Sequence, residues 1–337
     1  MRLALSKYLL VAATLVSLAA MYVIAFVLGA EPLPLALVVI ALILAAIGAV
    51  VAVRVSVPVP RPRVSDVAAA TAATALSQLL CRDMGIPPLV TVSIVAIIIG
   101  MMVAPHGPLD VRSEGAAYVG AFVGLLAPTI TVPVGWVLLA GAFAGLLWSF
   151  IGLCVLPGVG GRLGLVAFMG SSFIYWLATR LGYEHNAVLV PEVRGMAHMA
   201  MIPIGGVAAV LTWLLIQRRG WDFALASGVT SLLVCGVIYL SDMGALAPVL
   251  ATAWFGGTMV GLSTPERLPN AGWVMGAGLM YGAYMLHFAG PLTGHVGVIG
   301  ATGTIAVFIA MGALRVGAWL TPRTTRTIAR LAGSTSA

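Results

Sequence analysis

Apolar stretches near or above 17 residues, the length that crosses a bilayer core, recur along the whole chain. They fall near residues 7–29, 33–53, 66–81, 88–105, 115–131, 133–156, 162–181, 197–217, 222–241, 244–263, 269–290 and 294–314. A run of this kind can only satisfy its backbone in lipid as a helix. Only 8% of the residues are charged, against roughly a quarter in a soluble domain, so too few polar side chains exist to cover a water-facing surface. The sequence therefore predicts an all-α polytopic membrane protein with about 12 transmembrane helices.

The third run, "DVAAATAATALSQLL", is short and rich in Ala, Thr and Ser. Charges outside it support its crossing. With the N-terminus in the cytoplasm, 14 of the 17 basic residues fall on the inner side and three, Arg82, Arg180 and Arg194, on the outer side. Cytoplasmic loops carry such an excess, and deleting the third span would reverse every later loop. The expected location is the cell (inner) membrane of a bacterium, multi-pass, with both termini cytoplasmic. The basic tail, residues 315–337, is placed where it can meet anionic lipid heads. The run Tyr8–Leu28 is longer than a signal-peptide core of about 7–15 residues and reads as a retained first span.

One phrase is written twice. Residues 120–145 and 257–282 align without a gap at an offset of 137, with 11 identities in 26 positions; this composition would give about two or three by chance. "GRLGLVA" at 161 further echoes "GATGTIA" at 300. Five spans separate equivalent points of the two copies, and an odd number reverses the direction of crossing. The chain thus divides into two N-terminal helices (1–65), a first five-helix repeat (66–196), a second (197–314) and the tail. A 5+5 inverted repeat is the plan of many transporters.

The repeated letters suggest roles. Gly120, Gly124, Gly141 and Gly145 answer Gly257, Gly261, Gly278 and Gly282. Glycines four apart clear a strip on which another helix packs closely. Pro128 and Pro133 bracket one inter-span segment, and Pro265 and Pro269 its counterpart. Proline ends a helix, so Pro128, Thr129, Thr131, Pro133, Thr264 and Pro265 are candidates to line a solute path, with a tight turn as the alternative. Trp136 and Trp273 follow as interface anchors or a pair of gates. Residues 127–134, "APTITVPV", resemble the urea-transporter signature Leu-Pro-x-x-Thr-x-Pro-Phe at Pro128, Thr131 and Pro133. Ala127 and Val134 depart from it, and "TPERLPNA" in the second copy lacks the threonine, so eight residues of likeness carry no family assignment.

All ten acids fall at span ends or in loops, and no pair of carboxylates in a plausible cleft is evident. Coupled carriers usually hold an ionisable residue within the membrane, so a neutral or weakly polar solute is expected. Tyr284 and His287, three apart on one helix face, complete the path candidates. The outer-loop set Glu184, His185, Glu192, Arg194 and His198 has no metal-ligand spacing, and "GVGGRLG" at 158–164 lacks the strand of a dinucleotide fingerprint. Cys81, Cys154 and Cys235 form no framework. No cofactor, metal, nucleic acid or enzymatic activity is expected. The expected partners are the lipid bilayer, a small-molecule solute and a second copy of the chain. The sequence predicts a channel or facilitator, with a non-transporting subunit that docks a partner through its glycine-rich faces as the alternative.

Overall fold

The computed structural model describes residues 35–53, 61–103, 108–126, 132–152, 156–183, 199–288 and 296–320. Among these the chain is entirely helical, with no strand. Eleven α-helices follow in order: α1 Leu35–Val53, α2 Val64–Gln78, α3 Pro88–Met102, α4 Val111–Val123, α5 Val134–Leu147, α6 Arg162–Arg180, α7 Met201–Arg219, α8 Phe223–Leu240, α9 Leu246–Gly261, α10 Ala271–Phe288 and α11 Val298–Leu320. α2 and α5 each end in a π-helical turn, Leu79–Asp83 and Trp148–Gly152. Each apolar run after the first meets one helix; the first lies outside the described residues. α11 continues six residues past position 314, into the segment assigned to the tail. The segments Val64–Asp83, Met201–Arg219, Phe223–Leu240 and Val298–Trp319 are long and apolar enough to cross a membrane.

Punctuation in the sequence sets the boundaries. Asp110 caps α4, its Oδ1 accepting the Ser113 N–H at 2.8 Å. Asp222 caps α8 by accepting the Ala224 N–H at 2.9 Å, and Asn270 does so for α10 through the Trp273 N–H at 3.2 Å. Such caps satisfy donors that a helix start leaves open. Gly220, in the left-handed region at φ 65°, ends α7 where a side chain would be strained.

Helices α2–α6 and α7–α11 pack by one scheme. α2 packs on α4 and α5, as α7 packs on α9 and α10. α6 packs on α4 and α5, as α11 packs on α9 and α10. α3 leans on α4, as α8 leans on α9. The two sets meet chiefly through corresponding helices, α3 with α8 and α6 with α11, while α1 lies along α11.

Glycine explains how closely these helices approach. A Cβ on Gly124 would lie 2.6 Å from the Thr74 carbonyl oxygen, and one on Gly145 2.7 Å from Ala70 Cβ. Gly120 and Gly141 likewise press on Ala70 and Thr74. In the other set, Gly278 would meet the Gly205 carbonyl at 2.6 Å and Gly282 the Ile202 Cα at 2.6 Å, while Gly257 and Gly261 abut Gly205 and Ala209. All eight glycines therefore seat against α2 or α7. Their partners correspond throughout: Ala70 with Gly205, Thr74 with Ala209, and Ser77 with Thr212 are each 135 residues apart. The Thr74 hydroxyl adds a bond from α2 to the Gly120 carbonyl at 2.9 Å.

Candidate functional site

Contact registers fix the helix directions around the boundary between the two sets. Gly100 abuts Leu225, and Gly228 abuts Ala96 and Ile97, so α3 and α8 run antiparallel. Glu114 reaches Ala224, and Tyr118 reaches Ser227, so α4 and α8 run the same way. Ser231 meets Thr258 and Cys235 meets Ala251, so α8 and α9 run opposite ways.

At the second junction the starts of α6 and α11 cross. A Cβ on Gly164 would stand 2.5 Å from Gly300 Cα and 2.9 Å from its N; one on Gly300 would stand 2.5 Å and 2.9 Å from the same atoms of Gly164. The residues before the two helices, Gly161 and Gly297, both adopt left-handed φ, 81° and 85°. Gly161 lies against Thr304, and Gly297 against Phe168. Gly161 and Gly297 each precede a helix start, and Gly161 also touches Gly300.

Between the junctions the interior is filled. Tyr118 and Phe122 stack with ring centroids 5.3 Å apart, and Phe122 meets Phe255 edge-on at 5.6 Å. At the offset of 137, Tyr118 answers Phe255 and Phe122 answers Met259, and all four are buried. The Tyr118 hydroxyl shares a hydrogen bond of 2.7 Å with Ser227.

Of the sequence-derived path candidates, Pro133, Thr264, Pro265 and Tyr284 are described with their side chains. Pro128, Thr129 and Thr131 lie outside the described residues. Pro133 is exposed just before α5, and Pro265 is exposed in the turn that joins α9 to α10. Thr264 closes that turn, its carbonyl accepting the N–H groups of Arg267 and Leu268 at 2.9 and 3.0 Å. Its own N–H donates to the Gly158 carbonyl at 3.0 Å. Tyr284 is half-buried on α10 and packs against the core; His287 belongs to the last turn of that helix, and its side chain lies outside the described residues. Trp136 and Trp273 are half-buried near the starts of α5 and α10. Among the described residues no three His, Cys, Asp or Glu side chains could share a metal ion.

Two acids that the sequence assigns to span ends are fully buried there. Asp66, in the first turn of α2, accepts Arg112 Nε at 2.7 Å, the Ser149 hydroxyl at 3.0 Å and the Ser113 hydroxyl at 3.1 Å. It thereby ties α2, α4 and the π-helical turn after α5 together. Trp148 of that turn donates its indole N–H to the Arg112 carbonyl at 3.0 Å. Glu114, one turn into α4, accepts the Ala224 N–H at 3.4 Å, the donor that Asp222 also engages. Its second oxygen, Oε2, is buried without a hydrogen-bond donor, beside the Asp222 carboxylate. Glu114 and Asp222 thus bring two carboxyl groups to the same Ala224 N–H. The two are 108 positions apart in sequence and meet only because α4 and α8 pack. The one signal available was position, since each acid stands at a helix start.

The sequence matches no protein-family model and no curated protein.

Proposed function

We propose that this chain is a twelve-span inner-membrane protein of inverted-repeat design that passes a small neutral or weakly polar solute as a channel or facilitator. The reciprocal crossing of Gly164 and Gly300 carries this reading. It brings the N-terminal ends of two corresponding helices side by side at the boundary between the sets. Helix starts inside a membrane protein present backbone N–H groups and the positive end of the dipole, and inverted-repeat transporters build solute sites from such ends.

The registers support inversion. α4 runs with α8, and α8 runs against α9, so the corresponding helices α4 and α9 run oppositely. Equivalent environments facing opposite membrane surfaces follow, around a shared centre. The cluster at that centre, Tyr118, Phe122, Phe255 and Met259, contains no acid or base, which suits an uncharged solute. Its close packing represents the shut form of such a path.

Flux into proteoliposomes, measured over a panel of neutral solutes by light scattering, tests the reading. The expected result is uptake of at least one solute well above protein-free vesicles, with Phe122→Leu changing the rate. Failure across the panel, together with stable co-purification of another protein, would favour the docking-subunit alternative.

A further inference from the structure

We infer that Glu114 and Asp222 together bind one proton, and that this proton ties the first helix set to the second. Glu114 belongs to α4, and Asp222 caps α8. Glu114 is 0% exposed. Among the described residues its Oε1 accepts only the Ala224 N–H, at 3.4 Å, and that donor lies closer to Asp222, at 2.9 Å. Asp222 also accepts the Leu225 N–H at 3.4 Å. Oε2 of Glu114 is buried, has no donor and stands beside the Asp222 carboxylate.

Two ionised carboxylates do not suit this place. The ion pairs among the described residues are Arg63 with Asp110 and Arg112 with Asp66, so no cation offsets either acid. On α4 itself, Arg112 is turned to Asp66, and the Tyr118 hydroxyl is bonded to Ser227. Of the helices around α4, α3, α5 and α9 carry no titratable side chain. α2 brings Asp66; α6 brings Arg162, Tyr175 and Arg180; α8 brings Cys235 and Tyr239 besides Asp222. Of all these, Asp222 is the one that acts on Glu114. A buried charge without an opposite charge is strongly disfavoured, and a second carboxylate beside it favours protonation of one of the two.

A proton meets both needs at once. On Glu114 Oε2 it supplies a donor to Asp222 and leaves the pair a single negative charge, as when two carboxyl groups share one proton. The remaining charge stays on Asp222, where the N–H groups and dipole of α8 favour it. The same dipole opposes a metal ion, and among the described residues no three acidic, His or Cys side chains could hold one. Oε2 is closed to solvent, so its ligand must need no room of its own. Asp222 is only half-buried, which gives a proton its way in from water. One turn further along α4, Tyr118 and Ser227 form a second tie to α8, at 2.7 Å. Loss of the proton sets two negative charges against each other between α4 and α8 and loosens that contact. The inference stands apart from solute passage, and flux results do not bear on it.

Infrared spectroscopy of the full-length protein in nanodiscs, titrated with pH, decides the matter. The expected result is the C=O stretch of a protonated carboxyl group at neutral pH, absent in Glu114→Gln and unchanged in Asp110→Asn, which alters an exposed acid. Asp222→Asn should lower the proton affinity read from the loss of this band at least tenfold, because the neighbouring negative charge is gone. Should Glu114→Gln not fold, wild-type protein carrying carbon-13 glutamate takes its place, and the band must shift. No band at neutral pH, a band that survives in Glu114→Gln or ignores glutamate labelling, or an unchanged affinity in Asp222→Asn overturns the shared proton.

Discussion

Gly164 and Gly300 touch reciprocally: each backbone occupies the place where the other's side chain would begin, at matching distances of 2.5 and 2.9 Å. The contact reads the same from both partners, as the proposed inverted repeat would require of α6 and α11.

Replacing either glycine by alanine should therefore be destabilising. The obstructing atoms are backbone, which cannot swing aside, and overpacking of this kind costs about 1–3 kcal/mol. The double variant should lose less than the sum of the two, because both changes strain one contact. Gly236→Ala, where nothing lies within 4 Å, is the control and should not lower stability. Thermal unfolding in detergent reads all four.

Asp66 gives the largest expected loss. Arg112 is paired with it at 2.7 Å in a nearly closed environment, 14% and 0% exposed. Removing one partner of a buried pair costs about 3–5 kcal/mol, so Asp66→Ala should fold poorly. Ser149→Ala, which removes one neutral donor, should cost about 1 kcal/mol. An Asp66→Ala, Arg112→Met double variant should recover much of the loss. If it proves no better than Asp66→Ala, the Arg112 charge is not the reason.

Glu114→Gln should be neutral or stabilising. The amide can donate to the Asp222 carboxylate beside it, while its oxygen still accepts the Ala224 N–H. A drop in Tm would show that the Glu114 carboxyl group has a role that this geometry does not supply.

The inversion can be read with thiol reagents. Pro133→Cys and Pro265→Cys put reactive groups at exposed positions near the starts of corresponding helices. In a background lacking the native cysteines, an impermeant maleimide applied to intact cells should label the first only. The second should require permeabilisation. Labelling of both from one side would remove the inverted arrangement, and the path argument with it.

Acid should weaken the Asp110 cap. The Ser113 N–H, and then its side chain, hold the Asp110 carboxyl below its usual range, with Arg63 contributing less. The folded value is thus below the unfolded one. The stabilisation is complete above the unfolded value of about 4 and disappears as pH falls through the folded value. Asp110→Ala should cost about 1 kcal/mol at neutral pH, and the difference from wild type should shrink as pH drops below about 4.

The sequence by itself determined the helices. Long apolar runs have no other way to close their backbone bonds in lipid, and Asp110, Asp222, Asn270 and Gly220 mark starts and stops through local hydrogen bonds. It also marked the glycines as packing positions, because a missing side chain has the same consequence wherever a neighbour arrives. Which neighbour arrives was settled only in three dimensions. α2 and α7 receive equivalent glycines while sharing few letters, since a small residue of any kind fits a close approach. The partners of Asp66 lie 46, 47 and 83 residues away, and the Ala224 N–H reaches Glu114 across 110. At such separations local pattern carries no information, so the burial of these groups was decided by the packing of one helix on another.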